Sequence, residues 1–379
     1  MNIPEVRFPE FTEEWEKQKL SNILEFEYGM NAAGKEFDGE NKYIRITDIE
    51  ESSRKFLQTK LVSPEGKVTE KYRVKFGDIL FARTGASTGK TYKYIDNDGK
   101  IYFAGFLIRG RVDKKTSVDF IFYLTLNYKY KSWINVMSMR SGQPGINAKE
   151  YGSYEFRIPK IEEQQKIGDF FTLLDKRIEQ QEQKIALLKD YKKAMMQKIF
   201  SQKIRFKDEN GNDYPDWEEK KLGKICRVKS SQLTNNVVEE IGKYPVYGAN
   251  SIVGYTENYE VNKYVSIVKD GAGVGRIAFI NNKSSVLGTL QYLIGIEITT
   301  EFLYVLLSNV NFKLYQTGTT IPHIYFKDYS KMIIDIPCQL EQEKISSFLF
   351  AMDLNLENQE AILNNLKEQK QGLLRKMFV

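Results

Sequence analysis

Two stretches of the chain carry apolar residues at alternating steps of four and three. The first runs Ile167, Phe171, Leu174, Ile178, Gln181, Ile185, Leu188, Lys192, Met195, Ile199. The second runs Ile345, Leu349, Met352, Leu356, Gln359, Leu363, Leu366, Lys370, Leu373, Met377. A heptad stripe over about nine turns predicts a long helix with a narrow apolar seam. Both seams are broken at matching places, by a Gln and then a Lys. Each helix is expected to cover about 39 residues, or roughly 58 Å at 1.5 Å per residue. Such a helix is unstable alone in water, so the two are expected to pair with each other. Pro159 and Pro337 mark their starts. Glu162, Glu163 and Glu341 fall in the first turns and complement the helix dipole, with Lys192, Lys193, Lys198, Arg375 and Lys376 toward the far ends.

Elsewhere the pattern shortens to strand-like runs. In the first half these are Lys42–Thr47, Asp78–Arg83 and Ile101–Ile108; in the second, Tyr264–Val268 and Ile277–Ile280. Single helices are expected near Phe120–Met137 and Phe302–Tyr315. Without repeated βαβ units this is an α+β pattern.

The halves are repeats. Pro159 through Phe200 matches Pro337 through Phe378 without a gap, at a spacing of 178 residues. Trp15, Leu20 and Ile23 match Trp217, Leu222 and Ile225 at a spacing of 202, so the first globule is 24 residues the longer. The plan is a globule over 1–158, a helix over 159–202, a globule over 203–336 and a helix over 337–379. Insertions fall in the globules because loops absorb them and a packed helix cannot. An antiparallel helix pair would give the chain approximate two-fold symmetry and suit a target with two half-sites, for which DNA is the natural candidate.

Composition narrows the chemistry. The 379 residues and 44.1 kDa allow two or three domains, and 41% hydrophobic with 28% charged residues reads as folded. No run of about 18 apolar residues predicts a membrane span, and the first residues do not read as a signal peptide, so a cytoplasmic location is expected. Cys226 and Cys338 are too few for a disulfide scaffold, and His323 is the single histidine, which excludes a His-based metal cluster. These absences point away from an enzyme. The net charge of +6 is compatible with a polyanionic partner.

Two loops per globule stand out. One is Arg83–Thr91, matched by Lys269–Arg276; the other is Arg140–Asn147, matched by Thr317–Tyr325. Glycines let backbone amides approach phosphate, Arg and Lys neutralise it, and Gln, Asn or Thr can meet base edges. Plain turn chemistry would select many of the same residues. The run Gly85–Thr91 has one residue too few between its glycines for a nucleotide-binding P-loop.

Two variable globules alternating with two near-identical helices, each opening with Pro-x-x-x-Glu-Gln-x-Lys-Ile, resemble the specificity subunit of a type I restriction-modification system. The resemblance covers essentially the whole chain. It implies that each globule is a target recognition domain reading half of a split DNA sequence. The helices would pair as an antiparallel coiled coil, set the spacer between the halves and dock two methyltransferase subunits, which motor-nuclease subunits join. It implies no catalytic site in this chain: S-adenosylmethionine, ATP and Mg would bind the partners, which methylate adenine. The expected DNA contacts rest on the loops themselves: Arg83, Thr84, Ser87, Lys90, Arg140, Gln143 and Asn147 in the first globule, and Lys269, Arg276, Thr317, Thr319, Thr320 and His323 in the second. The rival readings are a non-catalytic tandem-repeat scaffold for other proteins, and an enzyme with a nucleotide site at Gly85–Thr91.

Overall fold

The structure, a computed structural model, describes residues 3–139 and 142–379. It divides into two compact units, each discontinuous in sequence. One comprises Met1–Gln183 and Ala361–Val379; the other is Lys184–Glu360. Each unit therefore holds one globule and a portion of both long helices.

In the first unit the strand Asp78–Ala82 is buried along its whole length. Side chains alternate across a strand, and these go to two different cores. Ile79 and Phe81 join a cluster with Trp15, Phe120 and Phe171, whereas Leu80 and Ala82 join one with Ile44, Ile101 and Phe103. Around this strand forms a four-stranded antiparallel sheet in the order Leu24–Tyr28, Leu107–Val112, Asp78–Ala82, Thr91–Lys93. A parallel pair, Lys42–Ile44 with Ile101–Phe103, and an antiparallel pair, Glu16–Lys19 with Glu155–Ile158, complete the frame.

The second unit repeats the plan. Its sheet runs Cys226–Ser230, Leu290–Gly295, Tyr264–Val268, Ile277–Ile280. Val265 and Ile267 of the fully buried Tyr264–Val268 strand face one core, and Tyr264 and Val268 the other. The parallel pair recurs as Tyr244–Tyr247 with Ser285–Val286, and the antiparallel pair as Glu218–Lys221 with Ile333–Ile336. The additions differ. The first unit adds Gly34–Glu36 with Val62–Pro64; the second adds Ile252–Thr256 beside Tyr244–Tyr247.

Several expected elements are cut shorter. The helix expected over Phe120–Met137 is two, Val118–Leu124 and Tyr128–Met137, because Asn127 accepts from the Tyr130 amide and caps the second. Its counterpart splits into Thr300–Ser308 and a single 3-10 turn, Phe312–Tyr315. The run Ile101–Ile108 breaks at Ala104–Phe106, where the Leu107 amide returns to the Ala104 carbonyl. Lys42–Thr47 stops as a strand at Ile44, because Asp48 binds the Arg45 amide and guanidinium.

The long helices span Ile161–Phe200 and Gln339–Lys376. Among the seam positions, Ile167, Phe171, Ile178, Ile185, Ile345, Leu349 and Leu366 are buried, and Leu174, Leu188, Met352, Leu356 and Leu363 are half-buried. The Lys interruptions are explained by acids. In the first unit Lys370 lies 2.5 Å from Asp175, and in the second Lys192 pairs with Asp353. Glu182–Lys367 and Lys189–Glu360 follow the same rule, each at 2.6 Å. As the residue number rises on one helix its partner's falls, so the segments run antiparallel within each unit. The aromatic at or just past the C-terminal end of each helix is a plug. Phe378 lies 5.2 Å from Phe120 in the first unit, and Phe200 lies 6.2 Å from Phe302 in the second.

Candidate nucleic-acid interface

In each globule the two singled-out loops are joined by the same main-chain hydrogen bonds. In the first, the Gly85 amide donates to the Pro144 carbonyl (2.9 Å) and the Ile146 amide to Arg83 (2.9 Å). In the second, Gly271 donates to Pro322 (2.9 Å) and Ile324 to Lys269 (3.0 Å). The turns inside the loops match as well. Thr88 donates to Gly85, Lys90 to Ser87 and Gly89 to Ala82; Val274 donates to Gly271, Arg276 to Gly273 and Gly275 to Val268. Gly89 (φ 86°) and Gly275 (φ 83°) occupy the left-handed region that favours glycine. A Cβ at Gly89 would meet Ile134 at 2.5 Å, and one at Gly275 would meet Phe312 at 2.6 Å.

This corrects one expectation. The amides of Gly85, Thr88, Gly89 and Lys90 are spent inside the frame and cradle no phosphate, and the same holds for Gly271, Val274, Gly275 and Arg276.

The placements of the candidate side chains differ. Thr84 forms a β-bridge with Gly145, and Ser87 sits half-buried in the turn. Lys90 is held by Glu51 and is mostly covered. Arg83 lies over the Tyr28 ring, 5.0 Å from its centroid. Gln143 is exposed beside Gly85. Asn147 caps Ala148–Gly152, its Oδ1 accepting from the Glu150 amide at 2.9 Å. Arg140 lies outside the described residues. In the second globule Lys269 pairs with Asp270, and Arg276 is exposed, donating to Ala249 O (3.2 Å) and to Asn250. Thr317, Thr319 and Thr320 are exposed on the second loop. The His323 backbone bridges both Asp270 and Thr317.

The Glu-Gln pair opening each helix does more than meet a dipole. Glu163 is buried and accepts two bonds from Arg7, both 2.7 Å. Glu341 is buried and accepts from Arg205 at 2.8 and 3.3 Å, and from Trp217 Nε1 at 3.1 Å. These hydrogen bonds hold both guanidiniums above their ordinary pKa. Gln164 donates to the Pro159 carbonyl (2.8 Å) and accepts from the Ser117 amide (3.0 Å); Gln342 does the same with Pro337 (2.9 Å) and Thr299 (3.1 Å). Ser117 and Thr299 cap helices of their globules. The Glu-Gln pair is thus a clamp from long helix to globule. The repeat of the pair was the signal for it. Its partners Arg7, Arg205 and Ser117 lie too far along the chain for pattern reading to connect.

Among the described residues no group of three or more His, Cys, Asp or Glu is placed to hold a metal. No described helix is long and apolar enough to cross a membrane.

Comparison with known proteins fits this frame. The type I restriction modification DNA specificity domain matches residues 12–190 and again 214–368, one match over most of each repeat. The specificity subunit of the type I restriction enzyme MjaVIII of Methanocaldococcus jannaschii is 22% identical over 98% of this chain and 94% of its own length. A specificity subunit of the MjaX enzyme from the same organism is 28% identical over 59% of this chain, and that match spans only 55% of the relative. A crystal structure of the S subunit of a type I restriction-modification system from M. genitalium shares the fold, with a TM-score of 0.66 at 18% identity, covering 100% of this chain and 99% of that one. With two family matches that together take in most of the sequence, the chain belongs to the type I restriction-modification DNA specificity family.

Proposed function

We propose that this chain is the DNA-reading subunit of a type I restriction-modification complex and has no catalytic group of its own. Each globule reads one half of a split duplex target. The observation that carries the reading is the recurrence of one loop frame in both globules, built from matching main-chain bonds and clad in different side chains. A shared frame with different side chains suits two readers of unlike sequences. Lys90, Lys269 and Arg276 supply phosphate attraction, and Arg83, Thr84, Ser87, Gln143, Asn147, Thr317, Thr319, Thr320 and His323 are the candidates for closer contact. Arg140 belongs to the same loop by sequence.

The helices pair as an antiparallel coiled coil with approximate two-fold symmetry and fix the number of unread base pairs. They also dock two methyltransferase subunits, to which motor-nuclease subunits add. Apolar side chains that the pairing leaves exposed, Leu173 and Ile362 in the first unit and Leu187 and Leu354 in the second, suit such docking. The partners bind S-adenosylmethionine, ATP and Mg, and methylate an adenine taken out of the stack. The complex works in the cytoplasm.

The test is modified-base sequencing of the host genome with and without this gene. Loss of N6-methyladenine at one split motif is the expected result. An unchanged methylome, with no salt-sensitive duplex binding by the purified chain, overturns the proposal in favour of a protein-binding scaffold.

A further inference from the structure

Beside the loop frame of the first globule lies a cleft of about 680 Å³. It is assembled from the end of the Leu24–Tyr28 strand, the segment after it, the Arg45–Thr47 turn, Arg83 and the Ala104–Phe106 turn. Its lining contains two guanidiniums and no carboxylate. Arg45 is already committed, with Nε 2.8 Å from Asp48 Oδ2 and Nη2 2.9 Å from Oδ1. Arg83 has no carboxylate partner among the described residues. Its polar contact is a long 3.5 Å approach to the Gly105 carbonyl, and its guanidinium rests on the Tyr28 ring. That ring is fixed in turn, since the Tyr28 hydroxyl accepts from the Ala148 amide at 3.2 Å. The Phe106 side chain is 61% exposed at the rim, far more than an aromatic serving only the core.

The second globule fills the same places differently. Tyr28 ends its strand opposite Ile108, and the matching end is Ser230 opposite Gln291. Ser230 Oγ accepts from Gln291 Nε2 at 3.0 Å. Arg83, partner of the Ile146 amide, corresponds to Lys269, partner of the Ile324 amide, and Lys269 is paired with Asp270. One globule thus presents an available planar fork beside exposed aromatic rings. The other presents an amide, a hydroxyl and a neutralised ammonium.

A cleft with one uncompensated guanidinium and no carboxylate in its lining is complementary to a polyanion. An available guanidinium stacked on an aromatic ring is preorganised, so less freedom is lost when it bonds. Arginine's bidentate match among base edges is guanine O6 and N7. Resting on the reading of this chain as a DNA-specificity subunit, we propose that the cleft is the first globule's base-reading site for duplex DNA. Arg83 donates its fork to a guanine in the major groove, and Phe106 packs against the apolar edge of the neighbouring base pair. The second globule reads its half without a counterpart of that fork.

The experiment is modified-base sequencing of cells carrying the full system with Arg83→Ala, Arg83→Lys, Phe106→Ala or Lys269→Ala. Exchanging the first globule identifies its half of the motif. Arg83→Ala is expected to make one G·C pair in that half degenerate, with discrimination falling about 5- to 150-fold, and to leave the other half intact. Arg83→Lys is expected to relax the same position, because it keeps the charge and loses the fork. Phe106→Ala, a change at an exposed site, is expected to loosen an adjacent position. Lys269→Ala leaves the first half untouched. Full rescue by Arg83→Lys would make Arg83 a phosphate contact and overturn the proposal. So would an unchanged motif in all Arg83 variants, or total loss of methylation in Arg83→Ala alongside an unaltered Phe106→Ala motif. Absence of any split motif in the unaltered system would instead sink the functional reading on which the proposal rests.

Discussion

The two glycine turns are alike in backbone and unlike in support. In the first globule the buried Tyr151 hydroxyl spans the turn, donating to Ala82 O at 2.7 Å and accepting from the Gly89 amide at 3.1 Å. The matching Tyr329 is as deeply buried, yet its hydroxyl has no protein partner among the described residues. At the helix starts the asymmetry reverses. Trp217 donates to Glu341, whereas the buried Trp15 Nε1 has no partner among the described residues. The turns tolerate different side-chain support because their main-chain bonds match in both globules.

The largest test of this contrast lies at the clamps. Removing one partner of a buried ion pair typically costs about 3–5 kcal/mol. Glu163→Ala removes two bonds from Arg7, which keeps the Glu13 carbonyl, whereas Glu341→Ala removes two from Arg205, which keeps the Tyr214 and Pro215 carbonyls, and a third from Trp217, so the second variant is expected to lose more by the Trp217 bond. Denaturant unfolding followed by tryptophan fluorescence measures both, and equal losses would show that the Trp217 bond adds nothing. Next come Gly89→Ala and Gly275→Ala. Both place a Cβ at a left-handed position against a packed side chain, and each is expected to cost about 1–3 kcal/mol. A clear inequality in thermal midpoints would mean that Ile134 and Phe312 yield differently. Smaller still, Tyr151→Phe should lose about 1–2 kcal/mol from two hydrogen bonds, while Tyr329→Phe should be neutral or slightly stabilising. A matched loss would reveal an unseen partner for Tyr329. The mildest probe is thiol labelling. Burial pushes the Cys226 thiol up to about 12, and Cys338 is half-buried at the start of the second helix. One modification per native chain, at Cys338, is expected in mass spectrometry; modification of Cys226 at a similar rate would mean that its core opens readily.

The helices were legible because a heptad is a local signal with a single solution. Their spans and the matching Gln and Lys breaks could be read residue by residue, though the acids that meet Lys192 and Lys370 could not. The loop pairs were legible as recurrences, but their bonding was not. Glycine can serve a left-handed turn or expose an amide, and spacing alone does not separate the two uses. Asn147 reads from the sequence as a base-contact candidate, and its cap on Ala148–Gly152 was not legible, because an asparagine before an acidic helix start serves either purpose. The cleft was invisible. Tyr28, Arg45, Arg83 and Phe106 come from separate segments, and the strand break that exposes Phe106 sits inside an unbroken apolar run.

The main-chain frame also bears on how such a protein changes over generations. Its shape depends on carbonyls and amides, which every residue except proline supplies in full, and on two glycines whose replacement is strained. Substitutions at the remaining loop positions alter what is displayed without refolding what displays it. Mutations that retarget the protein and mutations that unfold it therefore fall at largely separate addresses. A lineage under pressure to discard one DNA word and adopt another could do so by single replacements at loop and cleft positions, passing through intermediates that still fold.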